Sequence, residues 1–171
     1  MSTPLEKLQP CLLDRLTDEE PDHSEESRTQ RVVSHQRYRR GVLRDLEWLL
    51  NATAFPDPYV RDPREPDEAF SLREKYPEVA RSVLNFGTRQ FGGRASPDLD
   101  ELKDNLAEAI ATFEPRISPR TLTIRANADR NMVFFDVEGE LWANPLPEHL
   151  HVKTSLDFDS GQTILGDAPN G

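Results

Sequence analysis

Acidic side chains on one strand-like segment are the first candidates for chemistry. Asp136, Glu138 and Glu140 occupy every second position, so an extended backbone places them on one face, about 7 Å apart. Glycoside hydrolysis uses two carboxyl groups about 5 to 10 Å apart in a cleft, one of them with a raised pKa. The alternate positions, including Val137 and Leu141, are apolar, so the acids are expected on the solvated face of a half-buried sheet, where nothing raises a carboxyl pKa. We therefore expect no catalytic residue here, and a glycoside-hydrolysing pair of these acids is the alternative.

Two histidines form the next candidate site. His149 and His151 share one face of a strand-like segment, and such a pair can bind a metal ion. The sequence offers no third or fourth ligand at a recognised spacing, and Gly92 and Gly93 form a glycine turn without the pattern of a phosphate-binding loop. We expect no metal site and no cofactor. Cys11 is the single cysteine of the 171 residues, which favours a reducing compartment.

The motif Glu114-Pro115-Arg116 lies where a helical pattern gives way to a strand pattern. Proline fixes the direction in which the chain leaves the helix, and arginine offers a planar set of donors for a partner's carboxylates or carbonyls. The alternative is a helix stop with an internal Glu-Arg ion pair. Spacing alone favours that internal pair.

The formal net charge is -10. Phosphates of nucleic acids and anionic lipids repel such a chain, so we expect protein partners, no nucleic acid and no membrane insertion. The basic run at 37–40 lies on an amphipathic helix and is expected to form ion pairs. We see neither a secretory signal nor an apolar run near the roughly 18 residues of a membrane span, and we expect a cytoplasmic protein.

Helical periodicity dominates the first two thirds of the chain. A short helix is predicted from Leu5, Leu8, Leu12 and Leu16, and Ser96 is the predicted N-cap of a later one. A helix from Tyr76 is expected to carry Val79, Val83 and Leu84 on one side and to end at Gly87. The predicted helices cover 5–16, 32–51, 76–87 and 96–113.

The period changes to two after Pro115. Three strands are predicted within 121–126, 132–142 and 150–158, with turns at 127–131 and 144–147. The polar acidic segment 17–29 is expected to be a mobile linker, 56–69 an extended proline-rich loop, and the end of the chain to fray after Gly161. We predict an α+β fold, with N-terminal helices packed on a small antiparallel C-terminal sheet. The predicted organisation is an N-terminal helix and linker (1–30), one domain (31–160) and a flexible tail (161–171).

Five segments taken together resemble TssE, the gene-25-like baseplate subunit of type VI secretion systems, a family that also carries a lysozyme-like label. Each segment is modestly specific alone, but all five occur in the same order over most of residues 5–159. They are LLDRL (12–16), VLRDLEWLLN (42–51), SVLNFG (82–87), FEPR (113–116) and VEGEL (137–141).

The resemblance implies a structural protein rather than an enzyme, and the family's label makes a peptidoglycan-cleaving, lysozyme-like enzyme that uses Glu138 or Glu140 the alternative. It implies a wedge subunit of a baseplate docked at the inner membrane, joined to the wedge proteins TssF, TssG and TssK. It implies that Glu114, Pro115 and Arg116 contact the helical core of the wedge. It also implies a sheet similar to the sheath's handshake domain, whose edge accepts strands from the sheath proteins TssB and TssC and so starts sheath assembly around the Hcp tube.

Overall fold

Helices come first and strands last in the described part of the chain. The computed structural model describes residues 8, 11–16, 33–58, 64, 69–88, 98–143, 147–157 and 159–167. The helices are α1 (Leu12–Leu16), α2 (His35–Asn51), α3 (Leu72–Lys75), α4 (Pro77–Ala80) and α5 (Leu99–Phe113), with a 3₁₀ turn at Val83–Asn85. The strands are β1 (Thr123–Asp129), β2 (Met132–Leu141), β3 (Glu148–Asp157) and β4 (Thr163–Asp167). The predicted α+β class is confirmed.

The strands form one antiparallel sheet in the order β1-β2-β3-β4. Alternate residues of β2 are buried, among them Val133 and Val137, whereas Asp136, Glu138 and Glu140 lie on the other face. The same alternation in β3 buries Leu150 and Val152. A period of two therefore divides the sheet into a core face and an outer face, as the sequence predicted.

The longer helices, α2 and α5, cover the core face with apolar stripes. The stripe of α2 includes Val42, Leu46 and Leu49, and that of α5 includes Leu102, Leu106 and Ile110; all six are buried in one core with the sheet residues. A helix needs such a stripe at the 3.6-residue period to stay packed. The core therefore lies between these two helices and the sheet.

The N-terminal residues differ from the prediction. Leu8 and Val33 form an isolated antiparallel bridge, in which the Val33 N–H donates to the Leu8 carbonyl at 3.0 Å, and the helix covers only Leu12–Leu16. Ser34 caps α2, so Val33 precedes that helix. The leucine spacing in 5–16 fitted a helix, but a proline at position 10 opposes helix continuation and the bridge buries Leu8 instead. Leu5 lies outside the described residues.

Two further helix predictions need correction. Asp98 caps α5 by accepting hydrogen bonds from the N–H groups of Asp100 and Glu101, whereas Ser96, the predicted cap, lies outside the described residues. The segment from Tyr76 contains the four-residue helix α4 and then a 3₁₀ turn, and Val83 and Leu84 are 83% and 70% exposed. The sequence of a short apolar run does not show whether its side chains are buried in the folded protein.

The chain after Gly161 does not fray as predicted, because Thr163–Asp167 pair with β3. The side-chain amide of Asn51 fixes the start of this strand: its Nδ2 donates to the Thr163 carbonyl and its Oδ1 accepts from the Thr163 N–H, both at 3.0 Å. The predicted flexible tail 161–171 is therefore wrong for β4. Five residues with two apolar side chains gave too short a pattern to recognise.

Several predictions fall largely outside the described residues. These are the linker 17–29, most of the loop 56–69 and most of the turn 144–147. The division of the chain into segments at residues 30 and 160 stays a prediction. Within the part of the chain that the structure describes, every helix is too short or too polar to span a bilayer.

Replacing Gly87 by alanine is expected to destabilise the fold by about 2–4 kcal/mol, because a strained φ and a clash add. Gly87 has a φ of 134°, and a Cβ there would lie 2.5 Å from the Ala52 carbonyl oxygen. Gly161→Ala is the control, because its φ of 68° is also positive but a Cβ there meets nothing within 4 Å. Urea unfolding measures both variants: Gly87→Ala should lose more stability, because it adds a clash to a φ that lies outside the left-handed α region, and equal losses would contradict this account.

Candidate partner-binding site

The Glu114-Pro115-Arg116 motif forms a tight turn at the end of α5. The Glu114 N–H donates to the Ile110 carbonyl at 2.8 Å, which completes the helix, and the Ile117 N–H donates to the Glu114 carbonyl at 3.1 Å. Pro115 occupies the second position of this turn, where its fixed φ is favourable. The motif therefore has a defined backbone conformation, and Pro115 is exposed.

The end of β2 holds the other side of the turn. The Trp142 N–H donates to the Arg116 carbonyl at 2.7 Å, and the Ser118 N–H donates to the Glu140 carbonyl at 2.9 Å. Between them Ile117, 1% exposed, forms a bridge with Leu141. The turn thus lies next to β2 on the same side as β1, and these hydrogen bonds to β2 fix the orientation of the turn.

The Glu114 and Arg116 side chains form the internal ion pair that the spacing favoured. Glu114 is 3% exposed, and its Oε1 accepts hydrogen bonds from Nε and the backbone N–H of Arg116 at 2.6 and 3.3 Å, while Oε2 contacts Nη2. Arg116 Nη2 also donates to Asp45 Oδ2 of α2 at 2.6 Å. Burial lowers the pKa of Arg116, but hydrogen bonds and charges of Glu114 and Asp45 outweigh it and raise the pKa. A buried carboxylate here has the partner that it needs.

The pair extends into a chain of alternating charges across α2. Asp45 Oδ1 accepts from Nε and Nη2 of Arg44 at 3.0 and 2.8 Å, and Arg44 Nη1 donates to Asp14 Oδ1 of α1 at 2.6 Å. We call these five residues the charge network: Asp14, Arg44, Asp45, Glu114 and Arg116. It joins α1, α2 and the turn after α5.

Shifts in pKa favour the ionised forms at the outer end of the charge network. Burial raises the pKa of Asp14, but hydrogen bonds from the Cys11 thiol and from Arg44 outweigh it, so the pKa lies below its ordinary value. Burial lowers the pKa of Arg44, but its hydrogen bonds to Asp14 and Asp45 outweigh this effect, so the pKa lies above its ordinary value. Both groups therefore remain charged at neutral pH.

Two further residues of α2, Tyr38 and Gly41, pack against members of the charge network. Tyr38 is buried, its hydroxyl donates to the Trp142 carbonyl at 2.9 Å, and its ring centroid lies 6.0 Å from Cζ of Arg116. Burial raises the pKa of Tyr38. A Cβ at Gly41 would lie 3.1 Å from Asp14 Oδ2, so glycine allows α1 to approach α2 closely. These contacts make the site a preorganised surface rather than a flexible one.

The structure brings the three predicted site residues together but gives them different roles. Glu114 points inward, Arg116 is partly accessible, and Pro115 lies on the surface. Sequence reasoning missed Asp45, whose contact with Arg116 spans 71 positions. Asp45, like Asp14 and Arg44, lies in a segment that carried the family resemblance, and this shared membership was the available signal.

Among the described residues, the acids of β2 have the contacts of solvated surface groups. Asp136 is in hydrogen-bond contact with His151, Glu138 Oε1 accepts from Arg125 Nη1 at 3.3 Å, and Glu140 is exposed. A cavity of about 120 Å³ lies elsewhere, between α4 and α5, and its lining includes none of the three acids. They occupy the outer face of a sheet, as expected for solvated strand residues.

One comparison with known proteins gave a match. The sequence model of a family described as "baseplate wedge protein gp25" matches residues 36–146, well over half of the 171-residue chain. No curated protein and no solved structure matches the chain. The matched range contains α2 except its first residue, and all of α5, the turn at 114–117 and both strands of the first hairpin.

Replacing Arg116 by alanine is expected to lower the free energy of unfolding by about 3–5 kcal/mol, because it leaves the buried Glu114 carboxylate without its main partner. Arg125→Ala is the matched control: Arg125 is 67% exposed in its side chain, and losing its pair with Glu138 should cost at most about 1 kcal/mol. Urea denaturation measures both. Equal losses would show that the charge network contributes no more than a surface pair.

Proposed function

Because the chain belongs to the family of the baseplate wedge protein gp25, a family of structural baseplate proteins of contractile injection systems, we propose that it is a wedge subunit of a type VI secretion baseplate and not an enzyme. Family membership is the observation that carries this proposal. The five TssE-like segments support the type VI assignment. The proposed place of action is the cytoplasmic side of the inner membrane, in a baseplate docked there.

The turn at 114–117 is the proposed contact with TssF, TssG and TssK. Pro115 lies exposed on a turn whose two ends are fixed by α5 and β2, and Arg116 beside it is partly accessible. A rigid surface loses little conformational freedom on binding, which favours a stable assembly. Glu114 contributes by holding Arg116, because its own carboxylate is buried.

The outer edge of β1 is the proposed acceptor of a strand from the sheath proteins TssB and TssC. Asp129 and Met132 flank a two-residue turn and pair directly, so they form a hydrogen-bonded pair. In an antiparallel ladder such pairs alternate, and the backbone groups of Ile124, Ala126 and Ala128 therefore point away from β2. Among the described residues, none donates a hydrogen bond to these groups or accepts one from them. This edge can take a further strand.

The opposite edge is less accessible. The Asn51 amide occupies both outward backbone groups of Thr163, which leaves the shorter β4 with Leu165 and Asp167 for an incoming strand. A blocked edge strand is a common means of preventing unwanted pairing. The difference between the edges favours strand addition at β1, beside the turn at 114–117, and sheath assembly around the Hcp tube would begin there.

The wedge contact is tested by purifying tagged protein from a strain with the whole secretion cluster and identifying the bound proteins by mass spectrometry. Pro115→Ala is expected to weaken recovery of TssF, TssG and TssK at least about fivefold, the effect of an important interface residue. Pro119→Ala is the control, because Pro119 is exposed at the same position of the turn closed by Thr121 N–H and Ser118 O at 3.1 Å. Equal recovery with both variants would refute the motif's contact, and absence of wedge and sheath proteins with wild type would refute the proposed function.

Sheath binding is tested with Ala128→Pro, which removes one outward N–H of β1. Ala128 is exposed and its N–H lies outside the β1–β2 ladder, so the fold should persist. Recovery of TssB and TssC should fall about two- to tenfold, the effect of one backbone hydrogen bond. Ala128→Val keeps the N–H and should bind like wild type, with TssF recovery unchanged in both variants. Unchanged sheath recovery with Ala128→Pro would exclude this edge as the acceptor.

A further inference from the structure

The outer face of the β2–β3 ladder sets acids opposite basic and imidazole side chains. In register, Asp136 lies opposite Lys153, Glu138 opposite His151 and Glu140 opposite His149. His151 also reaches diagonally, and its Nε2 is in hydrogen-bond contact with Asp136 Oδ1. Two acids of β2 and a histidine of β3, at least 13 positions away in sequence, therefore meet on neighbouring strands.

Asp136, Glu138 and His151 each offer one ligand atom, and these atoms all lie within 4.8 Å of one another. Zinc–ligand distances of about 2.0 to 2.2 Å require ligand atoms about 3 to 4 Å apart, which small side-chain rotations achieve here. The three side chains are between 26% and 34% exposed. An ion could therefore reach them from solvent, while the strand backbones keep them close.

We propose that Asp136, Glu138 and His151 form a binding site for a divalent transition-metal ion, with Zn²⁺ as the ion to test. An imidazole nitrogen with two carboxylates suits zinc and its neighbours, whereas Mg²⁺ and Ca²⁺ prefer oxygen ligands alone. Two carboxylates balance the charge of the ion. Three protein ligands leave a coordination position for water or for a side chain of another protein.

The interactions that compete with metal binding at this site are weak enough for an ion to displace them. Arg125 holds Glu138 through one contact of 3.3 Å and is largely exposed, and such pairs contribute little. The Nε2 atom of His151 can bind a metal when the ring proton is on Nδ1, a neutral tautomer that imidazole adopts readily. Lys153 and Arg125 also face Asp136 across the neighbouring strands, so their positive charges oppose the ion and moderate its affinity.

Cross-strand register explains why the sequence did not predict this site. The sequence suggested a pair of His149 and His151, but the groups nearest to His151 are acids of β2. His149 lies one step along the same face, opposite Glu140 and outside the cluster. It is therefore the natural control for His151. The proposal does not depend on the baseplate function.

Calorimetric titration of the chelator-treated full chain with ZnCl₂ tests the site. Wild type should bind one equivalent that His151→Gln and Glu138→Gln weaken at least about tenfold, the loss seen even for supporting groups around a metal. His149→Gln should stay within about twofold of wild type, as expected for an uncoupled neighbour. Circular dichroism checks that each variant keeps the fold, since all three positions lie on the outer face.

A thermal melt gives a second readout, because an ion that binds only the folded state raises Tm. Zn²⁺ should raise Tm of wild type and His149→Gln but not that of His151→Gln. The proposal is overturned if wild type binds no zinc, or if His151→Gln retains the wild-type affinity because another group binds the ion. It is also overturned if both histidine variants lose affinity equally.

Discussion

The buried carboxylate of Glu114 is the constraint on which the arrangement of this protein depends. An ionised group without water is costly unless it is paired, and Arg116 two positions later supplies the pair. The guanidinium in turn needs acceptors for its remaining donors, which Asp45 provides from α2. Each link fixes a further element, because Asp45 binds Arg44 and Arg44 reaches Asp14 of α1. A single desolvated group thus fixes two helices against one end of the sheet.

The five segments that carry the family resemblance meet around this point. LLDRL and VLRDLEWLLN supply Asp14, Arg44 and Asp45, FEPR supplies the pair itself, and VEGEL accepts the chain that follows it. SVLNFG joins through Phe86, whose ring packs edge-on against that of Phe113 at 5.4 Å, and through the Thr53–Thr88 bridge beside Gly87. Segments that are separate in sequence are thus linked in space.

The predictable part of the fold is the part that local physics determines. A repeat of 3.6 residues identified α2 and α5, and alternation identified β1, β2 and β3, because each stripe faces one large core. Leu8 and β4 were misread because a bridge to Val33 and pairing with β3 override their local pattern. The contacts of the charge network other than the Glu114–Arg116 pair, and the Asp136–His151 contact, were beyond prediction for the same reason. These contacts span up to 71 positions, and only register and packing bring the partners together.

The internal role of Glu114 and Arg116 changes how variants of this motif must be interpreted. Loss of either charge destabilises the turn that presents Pro115, and loss of Arg116 also removes a group of the proposed contact, so reduced assembly alone cannot distinguish binding from folding. Exposed positions on the same scaffold can distinguish them, because their side chains do not support the core. The two edges of the sheet also differ. Asn51 occupies the backbone groups at the start of the β4 edge. The β1 edge, which lies beside the motif, has outward backbone groups without partners among the described residues. If both proposals hold, the closeness of the proposed wedge contact and the proposed strand-accepting edge couples the attachment of this subunit to the position of the first sheath strand.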